Sequence, residues 1–337
     1  MLSLPRKSDD RSGPNRRVAW SDRRCRLEEI AYGGWERNLR LTNGEVELLA
    51  TLDVGPRILR YLYQGGFNVL KEFTEQYGGQ GEPEWCIRGG HRLWIAPEDL
   101  TRTYALDNSP LRYSRLGPLA ARLTPPVDQP YGVQKELDIQ LAPKGSQVTL
   151  THRVTNVGPA PTELAVWAPT VLTTGGVAII PLPPKRPHPG HVRNATSPKD
   201  FAPNQRLVLW PFLDLSDPRW TWGSRFILAR QDTTRPATKL GVAHMMGWIA
   251  YLVANHLFVK RFSWQEGRMH PDMGVNFELF TNETTMECES LGPLVMLAPG
   301  QTVEHVERWE LYRDVPLTAD ERDEERIASV LAGLGLC

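Results

Sequence analysis

The chain has 337 residues, enough for one large domain or two average ones, and 41% of them are hydrophobic, so a sizeable core can form. Lysine plus arginine and aspartate plus glutamate number 39 each, which leaves no net charge to attract nucleic acid or an anionic membrane. No apolar run reaches the roughly 18 residues of a membrane span. We therefore expect neither nucleic acid nor a membrane as a partner, and the composition leaves open whether the protein is a monomer or a homodimer.

The N-terminal 26 residues are rich in arginine, serine and proline and contain no apolar stretch of the kind a secretory signal requires. We predict that residues 1–26 form a disordered tail. The four cysteines, Cys25, Cys86, Cys288 and Cys337, lie far apart, without the spacing of a zinc site or a disulfide framework. They suit reduced thiols, which predicts a cytoplasmic protein without a metal or another cofactor.

The next part of the chain consists of short runs of alternating apolar residues separated by Gly, Pro, Asn and Asp. Such runs predict strands joined by turns. The clearest runs are 45–52, 57–63, 148–154, 163–172, 177–182, 207–210, 225–229, 239–243, 247–252 and 257–262. No long 3.6-residue period interrupts them. We predict one all-β domain over residues 27–315.

The C-terminal residues 316–337 carry the one helical pattern. Apolar side chains recur at i, i+3, i+4 and i+7, at Ile327, Val330, Leu331 and Leu334. Acidic residues precede them, as is favourable at the N-terminus of a helix. This predicts a short helix, beginning near residue 318, after the β domain.

The segment 275–291 predicts a hairpin with an acidic face. A two-residue turn at Asn282 and Glu283 places Glu278 directly opposite Glu287, with Glu289 on the same face. Like charges that face each other across a sheet are destabilising. The face therefore indicates a shared proton, a cation or a hydroxylated ligand, or else a solvated surface where screening weakens the repulsion.

A second candidate site lies in HRLWIAPED, residues 91–99. Arg92 and Glu98 can chelate sugar hydroxyls, and Trp94 can stack on the apolar face of a sugar ring. The alternative is that Trp94 belongs to the core and Arg92 pairs with Glu98. His91 is a candidate proton donor or a residue with only a structural role.

Three further residues are candidates for substrate binding. Trp248 is one of several tryptophans that can line a cleft, although large β proteins also bury tryptophan. Lys260 follows an apolar strand and can bind an anionic group on a sugar. Asp272 lies in a turn after proline, where aspartate is also expected on structural grounds.

Three long segments resemble galactose mutarotase (aldose 1-epimerase) proteins. Residues 43–70 resemble their N-terminal strands, 148–172 their central sheet and 286–311 their closing strands. The shorter motifs GGHRLWIAPE, LWPFLDLSDPRW, KLG, HPDMG and ESLGP are similar to an uncharacterised bacterial family within that superfamily. The resemblance implies a β-supersandwich, a large antiparallel sandwich with a sugar-binding concave sheet, here followed by the short helix.

The resemblance also implies an acid–base pair that opens the sugar ring. The Glu base of the family matches Glu289, and its acid is a His in the segment that here spans residues 164–170. That segment has no histidine, and Trp167 occupies roughly the place, where we expect it to contact the sugar. His91 then remains as a substitute acid.

Three functions are consistent with this pattern. The first is a mutarotase-like sugar epimerase with Glu289 as base and His91 as acid. The second is a non-catalytic carbohydrate-binding protein on the same scaffold. The third is a lyase or hydrolase for acidic sugars, which requires Arg92 or Lys260 beside the carboxylates.

Overall fold

The structure is a computed structural model that describes residues 25–336. The predicted tail over residues 1–26 therefore lies almost wholly outside the described residues. Its last residue, Arg26, already begins the first strand. No helix within 25–336 has the length and apolar character needed to cross a membrane.

The described chain forms 22 strands. In chain order, the first eleven are β1 (Arg26–Tyr32), β2 (Trp35–Thr42), β3 (Val46–Thr51), β4 (Arg57–Tyr63), β5 (His91–Arg92), β6 (Trp94–Ala96), β7 (Arg112–Gly117), β8 (Ala120–Thr124), β9 (Val133–Leu141), β10 (Val148–Asn156) and β11 (Thr162–Leu172). The others are β12 (Val177–Pro181), β13 (Leu207–Leu209), β14 (Trp220–Trp222), β15 (Phe226–Arg230), β16 (Thr238–Val242), β17 (Trp248–Val253), β18 (His256–Arg261), β19 (Phe277–Thr281), β20 (Met286–Leu291), β21 (Val295–Leu297) and β22 (Thr302–Tyr312). Short 3₁₀ helices occur at Thr74–Gln76, Val192–Asn194 and Pro198–Asp200.

Two large antiparallel sheets contain all of these strands. The first sheet has the order β1-β2-β3-β4-β5-β11-β20-β19-β16-β13, and β6 and β21 also pair with β11. The second sheet has the order β14-β15-β12-β17-β18-β22-β10-β9-β8-β7. The prediction of an all-β antiparallel sandwich is confirmed.

The core lies between the two sheets, and in β10 the alternation of buried and partly exposed residues shows how side chains enter it. In β10, Val148, Leu150, His152 and Val154 are buried, and the residues between them are partly exposed. The inward side chains of both sheets form one large apolar cluster that includes Leu240, Leu279 and Trp309. The two inner faces therefore form the main core of the sandwich.

The helix α1 spans Glu324–Gly333, so it begins several residues later than the sequence predicts. Asp323 caps it, because its carboxylate accepts the backbone N–H groups of Glu325 and Arg326. Ile327 and Leu331 pack on the outer face of the second sheet. The helix thus covers a surface of the sandwich that would otherwise be apolar and exposed.

The predicted hairpin exists, but its turn is longer than predicted. Thr281 pairs with Met286, so the turn contains four residues rather than two. The side-chain oxygen of Asn282 accepts the backbone N–H groups of Thr284 and Thr285, which stabilises the longer turn. The register therefore shifts by two residues, which preserves which side chains share a face.

Candidate functional site

A cleft of about 330 Å³ lies on the outer face of the first sheet. This volume falls within the roughly 300–1,000 Å³ typical of small-ligand pockets. The aromatic lining of the cleft consists of Trp85, Trp94, Tyr104, Trp167, Trp210, Phe212 and Phe280. Its charged lining consists of Arg92, Glu98, Lys239, Glu287 and Glu289.

The charged side chains reach the cleft because of strand alternation. On β20, Glu287 and Glu289 face the cleft, whereas Cys288 between them belongs to the core. Glu278 on β19 lies directly opposite Glu289, not opposite Glu287 as the sequence predicts. Three carboxylates therefore share the outer face of one hairpin.

Glu289 is held by two donors at the floor of the cleft. The indole N–H of Trp167 donates to Glu289 Oε2 at 3.0 Å, and Lys239 Nζ donates to the same oxygen at 3.2 Å. Burial raises the pKa of Glu289, the ammonium of Lys239 opposes this effect, and the carboxylate of Glu287 adds to it. Both contacts use Oε2, so Oε1 remains available to a ligand.

Lys239 also binds Glu278, at 2.6 Å from Oε2. Burial, reinforced by Glu289, raises the pKa of Glu278 well above its usual range despite the nearby ammonium. Burial lowers the pKa of Lys239, but the two carboxylates outweigh burial and hold it above its usual value. The ammonium thus offsets the repulsion between two glutamates that face each other across the hairpin.

Arg92 occupies the other end of the cleft floor. Its NH2 group donates to Glu287 Oε2 at 2.9 Å. Its guanidinium lies 4.0 Å from the ring centre of Trp94 and 5.5 Å from that of Trp85. The cation is therefore bound by a carboxylate and by aromatic faces at once.

Glu98 lies at the solvent-exposed mouth of the cleft. Tyr104 donates its hydroxyl to Glu98 Oε1 at 2.5 Å. Burial and this carboxylate raise the pKa of Tyr104 well above its usual value, so it stays a donor. The rings of Tyr104, Trp85 and Trp94 contact one another beside this carboxylate.

Three predicted site residues do not line the cleft. His91 neighbours Arg92 on the same strand and points to the opposite face, where it contacts Thr170 and His152. Lys260 is fully buried between the sheets. Trp248 is buried on the outer face of the second sheet, beneath the C-terminal helix.

Two others lie next to the cleft. Glu278 is only 1% exposed and reaches the cleft lining through Lys239. Asp272 lies in a turn with positive φ, and its charge adds to the factors that raise the pKa of Glu278. Trp94, Trp167, Arg92, Glu98, Glu287 and Glu289 all line the cleft.

Between the sheets, His91 belongs to a chain of hydrogen bonds with a fixed direction. The backbone oxygen of His305 can only accept, so two neutral imidazoles must both donate toward it. The hydroxyl of Thr170, which accepts from Lys260, therefore donates to His91 Nδ1 at 2.9 Å. His91 Nε2 then carries the proton and donates to His152 Nε2 at 2.7 Å. His152 Nδ1 donates to the backbone oxygen of His305 at 2.9 Å.

The same interior network contains a potential metal-ligand set. One ligand atom each from His91, His152 and Glu307 lies within 4.8 Å of the others. Lys260 Nζ is 2.8 Å from Glu307 Oε1, so an ammonium already supplies positive charge there. Each imidazole nitrogen also has a hydrogen-bond partner, and we therefore interpret the set as a structural network.

Lys239 is a site residue that was not predicted from the sequence. The signal was present, because Lys239 is the one charged residue of the strand β16 and shares a face with Gly241 rather than with the core residue Leu240. Gly241 lies against Trp210, where a Cβ atom would approach that ring to 3.0 Å. A cleft wall therefore closes over this face of the strand.

A larger cavity, of about 620 Å³, lies elsewhere, along strands β8, β9 and β10 near Cys25. The cluster of paired acidic and basic groups with aromatic walls is found at the smaller cleft. Chemistry rather than volume therefore identifies the candidate site.

The fold defined by these sheets is galactose mutarotase-like. A galactose mutarotase-like protein from Lactobacillus casei superimposes with a TM-score of 0.53 at 10% identity, covering 82% of this chain and 100% of that one. A putative aldose 1-epimerase from Escherichia coli K12 gives 0.51 at 11% identity, with 82% and 99% covered.

A Synechocystis protein gives a TM-score of 0.53 at 14% identity, with 80% of this chain and 92% of that chain covered. No protein-family model matches the chain, and no curated protein matches it in sequence. At these identities the similarity establishes the fold, and function has to be argued from the cleft.

Proposed function

We propose that the protein binds a carbohydrate in the cleft and exchanges its anomers by acid–base catalysis. The observation that carries this proposal is the carboxylate of Glu289, held at the floor of an aromatic cleft by Trp167 and Lys239. The mechanism uses side chains and solvent alone and needs no cofactor.

The lining supports a sugar as the ligand. Aromatic rings such as Trp94 and Trp210 offer faces on which the C–H groups of a pyranose can stack. Carboxylates and a guanidinium beside those rings can bind several hydroxyl groups. A cleft with apolar walls and a polar floor matches the two kinds of surface on a sugar ring.

In the proposed reaction, Glu289 removes the proton from the anomeric hydroxyl. As the bond between the anomeric carbon and the ring oxygen breaks, that oxygen gains negative charge and takes a proton from Lys239. The anomeric carbon becomes a carbonyl, and ring closure on its other face gives the second anomer. The two protons then return to Lys239 and to the product, which restores the starting state.

His91 has no part in this scheme, since it lies on the far side of the sheet from Glu289. Lys239 is the residue of the cleft lining that contacts Glu289 and also carries protons to donate. It therefore takes the role that the resemblance assigns to a histidine.

A second candidate is a binding protein without catalysis. The specific observation in its favour is that Trp167 and Lys239 both bind Glu289, which orders the carboxylate but also reduces its basicity. Such a cleft can recognise a sugar without opening its ring.

The alternative of a lyase or hydrolase for acidic sugars finds less support. It requires a basic residue free to bind the substrate carboxylate. Lys260 is buried between the sheets, and Arg92 is already paired with Glu287.

The test is proton NMR of the protein with a panel of pure sugar anomers, measuring saturation transfer and anomer exchange in the same samples. We expect exchange above the buffer rate, and Glu289→Gln should reduce it by about 10²- to 10⁴-fold because the general base is lost. Glu36→Gln, on an exposed part of the strand β2, is the matched control and should leave exchange unchanged.

Saturation transfer without exchange would favour the binding protein. Equal exchange in Glu289→Gln and the unmodified protein would remove Glu289 from the mechanism. The absence of both signals for every sugar would contradict a carbohydrate function.

A further inference from the structure

Carboxylates outnumber cations in the lining of the cleft, and one of these carboxylates, Glu98, has no cation partner in the described part of the chain. Arg92 is paired with Glu287, and Lys239 is paired with Glu289 and Glu278. Among residues 25–336, no lysine, arginine or histidine nitrogen lies within 4.0 Å of Glu98. Glu98 is therefore the carboxylate of the cleft that has no cation partner among the described residues, and it lies at the mouth.

The two cations of the cleft are bound in the same way. Arg92 contacts Glu287 and lies over the rings of Trp94 and Trp85. Arg92 is thus held by a carboxylate together with aromatic faces. This combination favours a cation through both the charge of the carboxylate and the quadrupole of the rings.

Lys239 shows the same arrangement at the other end of the floor. Its ammonium contacts Glu289 and Glu278 and lies 5.0 Å and 4.8 Å from the ring centres of Trp167 and Trp210. The pattern of carboxylate plus aromatic rings thus occurs twice with a cation of the protein in place.

Glu98 repeats this pattern without a cation. Tyr104 donates to Glu98 Oε1, which leaves Oε2 available, and Trp85 lies 5.6 Å from Tyr104, ring centre to ring centre. All three side chains line the cleft, and Glu98 is exposed to solvent at its mouth.

We propose that the cleft selects sugars that carry a positively charged amino group, and that Glu98 with Trp85 and Tyr104 binds this group. The inference rests on the proposed carbohydrate function and names its substrate class. The amino group forms a charged hydrogen bond to Glu98 Oε2 and lies against the aromatic faces. Anionic sugars are disfavoured, because the mouth of the cleft already carries an unpaired negative charge.

The experiment compares the dissociation constants of glucosamine, galactosamine, their neutral parent sugars and their N-acetyl derivatives, by NMR titration. The pH is set below the pKa of the sugar amine. We expect each amino sugar to bind roughly three- to tenfold more tightly than its parent, in line with one partly exposed ion pair and a cation–π contact. Acetylation removes the charge and should remove the preference.

Glu98→Gln should reduce the ratio between the affinities of each amino sugar and its parent to about one, whatever its effect on the neutral sugars. Glu36→Gln removes the same charge from a distant exposed site and should preserve the preference. Equal binding of amino and parent sugars would overturn the inference, as would a preference that persists in Glu98→Gln.

These outcomes differ from a failure of the proposed function. If the proposed function were wrong, no sugar of any class would bind to the protein or exchange its anomers. Binding and exchange of neutral sugars without an amino-sugar preference would leave the proposed function standing and remove the inference alone.

Discussion

At the scale of single residues, the central feature is one carboxylate under opposed influences. Burial raises the pKa of Glu289, whereas the ammonium of Lys239 lowers it. Lys239 and the indole N–H of Trp167 both donate to the same carboxylate oxygen of Glu289. A base whose pKa lies above the ordinary range accepts a proton more readily near neutral pH. The environment of Glu289 therefore suits it to proton removal better than an exposed glutamate.

The charge of Lys239 predicts a shift in pH dependence. Glu289 acts as a base only when ionised, so exchange is lost as the pH falls through its pKa. Lys239→Met removes the charge that lowers this pKa, and we expect the acidic limb of the exchange rate to move to higher pH. The maximum rate should also fall, by roughly 10²-fold, because the proton donor is lost.

The pH profile of anomer exchange, measured by NMR, tests this expectation. Lys239→Arg is the control, since it keeps the positive charge and should leave the acidic limb in place. An unchanged limb in Lys239→Met would show that Lys239 does not influence the base.

At the scale of strands and hairpins, the alternation of side chains explains which site residues were predicted correctly from the sequence and which were not. It correctly places Glu278, Glu287 and Glu289 on one face, even though the turn has four residues, because a shift of two keeps the face. It also shows that His91 and Arg92, as neighbours on a strand, cannot both face the cleft.

The direct opposition of Glu278 and Glu289 could not be obtained from the sequence. It depends on the side chain of Asn282, which accepts two backbone N–H groups and lengthens the turn. Lys239 belongs to a strand about 40 residues away, and only the order of strands in the sheet brings it between the two glutamates.

Lys260 connects the two sheets, which predicts a large effect on stability. It extends from β18 in the second sheet to the backbone oxygens of Ala168 and Cys288 in the first, and it pairs with Glu307. Lys260→Met leaves the buried carboxylate of Glu307 without its cation. We therefore expect the free energy of unfolding to fall by about 3–5 kcal/mol.

Urea denaturation measures this loss. Lys144→Met, the same change at an exposed residue, should alter stability by less than about 0.5 kcal/mol. Replacing Glu307 as well, with leucine, should recover part of the loss, because the unpaired charge is then removed. A loss as small as that of Lys144→Met would contradict a structural role for the pair.

At the scale of the whole molecule, the sandwich holds several neutral histidines in its interior. Burial lowers the pKa of His244 and of His305 to about 3, and it also lowers the pKa values of His91 and His152. An unfolded chain titrates its histidines near pH 6.5. Between these values the unfolded state binds protons that the folded state does not.

We therefore expect stability to decrease as the pH falls below about 6.5, and to continue decreasing toward pH 3. Each buried histidine contributes at most about 1.4 kcal/mol per pH unit. Glu278 and Glu289, whose pKa values are raised, have the opposite effect at pH values between the ordinary pKa of a glutamate and their raised values. Because four buried histidines oppose only these two carboxyl groups, we expect the net effect of lowering the pH to be a loss of stability.

Urea denaturation at a series of pH values tests this dependence. His244→Gln removes one titrating group and should flatten the slope, whereas His188→Gln, at an exposed residue of a loop, should not. A protein equally stable at pH 7 and pH 5 would contradict the expectation.

Because side chains alternate along β11 and β20, the residues that face the cleft can change independently of those that join the two sheets. Trp167 and Glu289 face the cleft, while Thr170 and Ser290 on the same strands join the network between the sheets. Substitutions at cleft positions can thus change which ligand is accepted while the hydrogen bonds between the sheets stay intact. A scaffold with this arrangement can acquire new specificities through few mutations, at positions that a designer can randomise without repacking the interior.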